Sequence, residues 1–205
     1  MSPVAGALEL TDLRLAGGAR QRQARRRERG WRMRAIAAVI VSLLAAGCAG
    51  RGTPADNTAR AELRNTGGEV VATATFTQVG GAMRVLVDAQ GLPAGVKGVH
   101  IHAVGKCDPP DFTSAGGHFN PQGRQHGALN PQGPHAGDLP NLTVGADGKG
   151  RLESTTELVA LAGGRHSVFD ADGSALVIHA APDDFRTDPT GNSGARIACG
   201  VIVKK

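Results

Sequence analysis

Tyrosine is absent from the 205 residues, tryptophan occurs once, at Trp31, and aromatic residues make up only 3% of the chain. A product processed beyond Trp31 would therefore absorb almost nothing at 280 nm. Cysteine is scarce and odd in number, with Cys48, Cys107 and Cys199, so one thiol must lie outside any intrachain pair. No segment keeps a 3.6-residue apolar period for three turns, which excludes a helical bundle. The apolar run Ala35–Ala46 has 12 residues, too few to cross ~30 Å of hydrocarbon at about 1.5 Å per residue. An excess of positive charge on the body of the chain is missing too. Residues 1–34 hold nine Arg against Glu9, Asp12 and Glu28, while the remainder has 14 basic and 15 acidic residues. The formal +5 thus sits in the N-terminal tract, and nucleic acid is excluded as the primary partner.

What that tract contains is a targeting pattern. From Met33 a basic start, the apolar run and the small residues Ala45-Ala46-Gly47 lead to Cys48, which reads as a secretory signal over 33–47. The Cys directly after small residues resembles a bacterial lipoprotein signal, with Cys48 lipidated as the mature N-terminus, although the usual Leu three places earlier is displaced to Leu44. An ordinary cleavage site with an incidental Cys48 is the alternative. Because the signal is complete from Met33, translation starting there would leave residues 1–32 out of the protein; a long basic n-region is the other reading. Residues 48–58 have the small, polar composition of a tether, so the membrane is met only through the lipid at Cys48 and the folded domain spans 59–205.

The domain reads as many short strands. Between Glu69 and Thr77, Val70, Ala72, Ala74 and Phe76 alternate with Val71, Thr73, Thr75 and Thr77. Gly80-Gly81 turns the chain into a second alternating run at Met83, Val85, Val87 and Ala89, giving a hairpin. Further runs follow at 96–104, 141–144, 151–158, 176–180 and 197–203, separated by Gly-rich turns. This economy argues an all-β sandwich or barrel. One stretch breaks it: Val104–Asp138 is 35 residues, 12 of them Gly or Pro, without strand or helix pattern.

Six of the seven histidines stand in ordered relation to that stretch. His100 and His102 share one face of a strand, with Val99 and Ile101 on the other. His118, His126 and His135, followed by Asp138, lie on the long loop, and His179 ends the apolar run LVIH. Only His166 is left over. Six imidazoles and a carboxylate are too many for one tetrahedral site, so two metals are implied. A carboxylate completing a three-His set suits structural zinc, and an all-imidazole set suits copper. A loop wrapped around a metal needs little secondary structure, because the metal holds it.

The segments GVHIHAVGKCDP, SAGGHFNP, QHG, PHAGDLPNL, LVIHAAPDD and GNSGARIACGVI, in that order, resemble copper/zinc superoxide dismutase of the bacterial extracytoplasmic type over residues 59–205. The resemblance implies an eight-stranded Greek-key β-barrel or sandwich with long metal-binding and electrostatic loops. It implies one copper per chain on His100, His102, His118 and His179, and one zinc on His118, His126, His135 and Asp138, with His118 bridging. Asp183 would accept hydrogen bonds from one ligand of each metal, and Arg196 would dock the anionic substrate, superoxide. Cys107 and Cys199 would form the intrasubunit disulfide. The implied reaction is dismutation to oxygen and hydrogen peroxide by alternate reduction and reoxidation of copper, with His118 delivering a proton. The lysines that help attract substrate in animal enzymes are missing from PDDFRTDPTGNSGAR, where Arg186 is the candidate substitute. A non-enzymatic extracytoplasmic copper/zinc-binding or copper-delivery protein on the same barrel is the alternative, and assembly as monomer or homodimer stays open.

Overall fold

The computed structural model describes residues 57–205. The readings of residues 1–32, of the signal from Met33 and of Cys48 lie outside the described residues. The described chain forms ten strand segments: β1 (Thr58–Arg64), β2 (Val70–Val79), β3 (Ala82–Gln90), β4 (Gly95–Lys97), β5 (Val99–His102), β6 (Leu142–Val144), β7 (Lys149–Thr156), β8 (Ala175–His179), β9 (Arg196–Val201) and β10 (Val203–Lys204). Single residues, Gly98 and Ile202, separate β4 from β5 and β9 from β10, so the ten segments are eight strands with two interruptions. No α-helix occurs among the described residues; a single 3-10 turn, Thr113–Ala115, lies in the long loop.

Neighbouring segments follow the order β4-β6-β7-β3-β2-β1-β9-β8-β5, with antiparallel pairing throughout. The two ends of that order, β4 and β5, are consecutive pieces of one stretch, residues 95–102, so the sheet returns on itself as a nearly closed barrel. The β3–β4 and β7–β8 connections join strands that are not neighbours, which gives the Greek-key path expected from the resemblance. Closure matters for the site, because β5, at the seam, carries His100 and His102.

The hydrophobic alternation works as expected in β3, where Met83, Val85, Val87 and Ala89 are all buried. In β2 it needs a correction. Val70, placed by its spacing on the inner face with Ala72, Ala74 and Phe76, is 45% exposed, and Val71 is buried instead. The β1–β2 register shifts between Leu63 and Arg64, from Leu63↔Ala72 to Arg64↔Val70. The extra residue reverses the faces of the strand beyond the bulge. β1 itself escaped the sequence reading, since its inner face is Ala59, Ala61 and Leu63, two of them alanines with little hydrophobic signal.

The 35-residue loop does not depend on a metal alone. Its backbone bonds to β5 on both sides: Phe119 N–H donates to Ile101 O (2.8 Å) and Ile101 N–H to Gly137 O (2.9 Å). Phe112, Phe119 and Leu139 bury their side chains almost completely. Cys107, near the start of the loop, is joined to Cys199 on β9 by a disulfide, Cα–Cα 5.6 Å, as the resemblance implied. A crosslink spanning 92 residues removes roughly 4–5 kcal/mol of chain entropy from the unfolded state as an upper figure. It ties the loop to the strand that begins with Arg196.

The bulge makes a mutational prediction. Val71→Ala should lower the unfolding free energy by about 1–2 kcal/mol through lost burial, whereas Val70→Ala should stay within about 0.5 kcal/mol. Urea denaturation of both variants checks it; equal losses, or the reverse order, contradict the bulged register.

Candidate metal centre

Strand geometry, a loop and a bulge bring the histidines together. His100 and His102 project from one face of β5 while Val99 and Ile101 enter the core on the other. His179 comes from the end of β8, and His118 and His126 from the loop; all five rings are buried. Two four-residue clusters result, with ligand atoms within 4.8 Å of one another: His100, His102, His118 and His179, and His100, His118, His126 and Asp138.

The hydrogen bonds fix which nitrogen each ring offers. Through one nitrogen, His100 Nε2 donates to Asp183 Oδ2 (2.8 Å), His102 Nδ1 to Gly116 O (2.9 Å) and His179 Nδ1 to Gly194 O (3.2 Å). The other nitrogens, His100 Nδ1, His102 Nε2 and His179 Nε2, are buried without a partner, and so is His118 Nε2. Among the described residues only six buried side-chain polar atoms lack a partner, and these are four of them. A buried, unsatisfied acceptor costs free energy unless something else meets it. Four lone pairs from four imidazoles, converging in one place, are what a copper ion would satisfy.

On the other side of His118 the crowding is of a different kind. Asp138 Oδ1 lies 2.9 Å from His118 Nδ1, 3.0 Å from His126 Nδ1 and 3.4 Å from His135 Nδ1, and the last is 3.4 Å from His118 Nδ1. Three ring nitrogens cannot all donate well to one oxygen lone-pair region. Ligands at 2.0–2.1 Å around a tetrahedral zinc are spaced by about 3.3 Å, close to the 2.9–3.4 Å separations here. His100 belongs to the second cluster by proximity, yet its Nε2 is taken by Asp183 and its Nδ1 lies with the orphaned nitrogens of the first. His135 is the better fourth member. The residues present fit both metals.

A set of supporting groups aims these rings. Asp183 accepts from His100 Nε2 through Oδ2 and from His126 Nε2 through Oδ1 (2.9 Å), so one carboxylate orients one ring from each cluster. Asn141 clamps its backbone on both sides, donating to Asp183 O and accepting from Asp183 N–H, each at 2.9 Å. Gly191, at φ +61°, leaves room for that carboxylate, because a side chain there would collide with Asp183 Oδ1. Asp138 Oδ2 accepts the Gly127 and His135 N–H groups (2.9 and 3.0 Å), which turns Oδ1 toward the three rings. Asp188 accepts the His126 backbone N–H at 2.6 Å. The sequence reading missed Asn141, Asp188 and the Gly116 and Gly194 carbonyls. The exposed neighbour Asp184 accepts from Arg186 N–H, Thr187 N–H, the Thr187 hydroxyl and the Asn192 amide.

Arg196 opens β9 and donates from Nη1 to Phe112 O (2.6 Å) and from Nη2 to Gly116 O (2.7 Å). Held in this way, the guanidinium lines a cleft of about 340 Å³ together with His102, His118, His179 and Thr190. Arg186 does not line that cleft. His166 stands apart, its Nδ1 3.2 Å from Leu158 O.

Electrostatics follow burial and the carboxylates. In the metal-free chain burial, reinforced by neighbouring imidazoles, holds His102 down to about 2 and His179 to about 3. Burial likewise holds His118 at about 4 despite its bond to Asp138. For His126 burial acts the same way, but Asp138 and Asp183 outweigh it and raise it to about 9. Burial would raise the carboxyls of Asp138 and Asp183; the histidine hydrogen bonds instead hold both well below the usual range.

These directions predict the pH dependence of the metal-free protein. Below about 6.5 the unfolded chain protonates His102, His118 and His179 while the folded chain refuses until pH about 2–4, so stability falls on acidification. The contribution of His126 has the other sign: it is present below about 6.5 and lost as pH rises through about 9. The unfolding free energy in chelator should therefore peak near neutrality and fall on the acid side by the order of 1 kcal/mol per pH unit for each of these histidines. A profile flat from pH 4.5 to 9 contradicts it.

The chain is similar to proteins already known. Residues 70–202 match the family described as copper/zinc superoxide dismutase (SODC). The superoxide dismutase [Cu-Zn] 2 of Aquifex aeolicus (strain VF5) is 48% identical over 149 residues, spanning 72% of this chain and 87% of the relative. A superoxide dismutase [Cu-Zn] of Deinococcus radiodurans is 44% identical over 181 residues, spanning 80% and 94% respectively. The crystal structure of a SOD-like protein from Bacillus subtilis aligns with a TM-score of 0.67 at 43% identity, covering 70% of this chain and 97% of that one.

Proposed function

Since the chain belongs to the copper/zinc superoxide dismutase family, which uses copper and zinc, we propose that His100, His102, His118 and His179 hold the copper and that His118, His126, His135 and Asp138 hold the zinc. Its activity is the dismutation of superoxide to oxygen and hydrogen peroxide. The observation that carries the site assignment is the set of four orphaned, converging imidazole nitrogens on one side of His118, with three nitrogens and a carboxylate oxygen on the other. A purely metal-binding role for the barrel is not favoured, because the four copper imidazoles and Arg196 are all in place.

When bound, copper supplies a one-electron couple, and zinc, a d¹⁰ ion, supplies charge and geometry without redox change. The chain's own residues do the rest. Arg196 presents a fixed positive charge to a small anion entering the cleft, and its two carbonyl partners keep it from swinging out. A positive charge at a narrow opening raises the encounter rate of an anion. His118, which lines the cleft, is placed to take up a proton from solvent and hand it to the reduced substrate; burial, which holds its pKa low, makes the protonated ring a ready donor. Asp183 and the Gly116 and Gly194 carbonyls hold the remaining rings in a single tautomer, so the site needs no reorganisation between substrate molecules.

Purified protein should contain one copper and one zinc per chain and dismutate superoxide. His118→Ala should lose both metals' normal binding and the activity, and His166→Ala should leave both intact. Elemental analysis finding zinc alone after copper loading, without activity, overturns the assignment. Arg196→Glu should fall well below Arg196→Ala in rate at low ionic strength, with copper still bound. Equal rates for wild type and both variants remove Arg196 from the substrate path.

The N-terminal tract supports an exported, lipid-anchored product: a signal peptide over 33–47, a lipidated Cys48, a tether over 48–58 and the catalytic domain over 59–205. Stable anchoring needs more than one acyl chain, as a bacterial lipoprotein carries. Mass spectrometry of the native protein should find an acylated Cys48 at the N-terminus. A free Cys48, or an N-terminus upstream of Met33, refutes the anchor.

A further inference from the structure

Lys97 is the one buried lysine or arginine among the described residues, 7% exposed at the end of β4. It makes no ion pair there with a described carboxylate. Its ammonium donates to a single carbonyl, Ala180 O, at 2.9 Å. Enclosing a charge with one acceptor is unfavourable compared with an apolar side chain of the same volume, so the position calls for a reason.

The carbonyl it holds supplies one. Beyond the Val99↔Ile178 pair the β5–β8 ladder loses its step. His179 N–H donates to Gly98 O (2.9 Å), but Gly98 N–H donates to Ala181 O (2.9 Å), two residues later than a regular ladder would require. On the other side of β8 the register with β9 shifts between Ile178 and His179. On that side the extra residue is Ile197 of β9, skipped between the pairs Ile178↔Ala198 and His179↔Arg196, whereas on the β5 side Ala180 bulges out between His179 and Ala181, the two residues bonded to Gly98. Ala180 N–H still finds Ala195 O (2.8 Å), while its carbonyl is turned out of the ladder, where no backbone N–H of the described residues reaches it. Lys97 Nζ is the donor that meets it.

The same bulge governs two functional groups. It aims His179, whose Nδ1 is held at 3.2 Å by Gly194 O. Three residues beyond Ala180 it also delivers Asp183, which orients His100. A peptide plane free to turn at Ala180 would move both.

We propose that Lys97 is a positioning residue for the copper site, holding the Ala180 carbonyl so that the bulge after β8 presents His179, and through Asp183 His100, in one orientation. The inference rests on the assignment of His179 and His100 to copper.

The test compares wild type and Lys97→Met, both loaded with zinc and then titrated with copper. Wild type should show a Cu(II) electron paramagnetic resonance spectrum with nitrogen coupling; a spectrum without it would refute the site assignment itself and be distinct from failure of the present inference. With that spectrum in hand, Lys97→Met should bind copper roughly 10- to 100-fold more weakly, the range found when groups behind metal ligands are removed. Its parallel hyperfine splitting should also shift, while zinc affinity, which Lys97 reaches only through Asp183 and His126, should fall less than copper affinity. Lys97→Arg, which keeps a charged donor, should restore the wild-type spectrum. A wild-type spectrum and copper affinity in Lys97→Met, whatever its thermal stability, would overturn the proposal and leave Lys97 a purely structural residue. Should Lys97→Met fail to fold, Lys97→Leu, which also removes the donor, is read against the same criteria.

Discussion

His118 has two ring nitrogens and neither is free for ordinary packing. Nδ1 faces Asp138 Oδ1 at 2.9 Å with the rings of His126 and His135 close by, and Nε2 faces the three orphaned nitrogens of His100, His102 and His179. One imidazole thus stands between two sets of electron-pair donors, each of which is unfavourable to bury without a cation. The rest of the centre is arranged to hold that ring and its neighbours in place. On the proposed assignment, seven side chains fill two four-membered sites only because His118 is shared between them.

That arrangement explains the unusual architecture around it. The barrel needs no helix and no metal to bury its core, since β2, β3 and β7 pair through long regular ladders. At the seam of the closed sheet, however, β5 is only four residues long, and each of its residues is buried: two in the core, two in the site. The loop from Val104 to Asp138 and the turn around Asp183 cover that short strand where a regular neighbour would lie. Their glycines are spent on close approach, as at Gly191, where the absence of a side chain admits the Asp183 carboxylate. Asp183 then couples the clusters mechanically, because a movement of either His100 or His126 pulls on the same carboxylate.

Much of this was legible before any coordinates. The alternation in β3 and the His-X-His spacing in β5 carry their own geometry, since a period of two places alternate residues on one face. The proposed metal ligands, Asp183, Arg196 and the Cys107–Cys199 pair came from motifs whose residue types have few other uses in such order. Residues whose role depends on backbone placement were not legible. Val70 and Val71 are chemically equal, and only the one-residue bulge against Leu63 and Arg64 decides which enters the core. Ala59 and Ala61 give too weak a signal to mark β1. Gly116 and Gly194 act through carbonyls, which every residue possesses, and Asn141 and Asp188 act across 42 and 62 residues of sequence. Lys97 belongs with them: its neighbours in sequence give no hint that its partner is the peptide after His179.

The central claim is that His118 joins two metal ions through one ring. Replacing zinc by cobalt(II) in the copper-loaded protein and recording the Cu(II) electron paramagnetic resonance signal tests this directly. Two paramagnetic ions bound to opposite nitrogens of one imidazolate couple strongly, so the copper signal should collapse on cobalt binding and return when zinc displaces cobalt. An undiminished copper signal with one cobalt bound per chain would show that the two sites do not share His118.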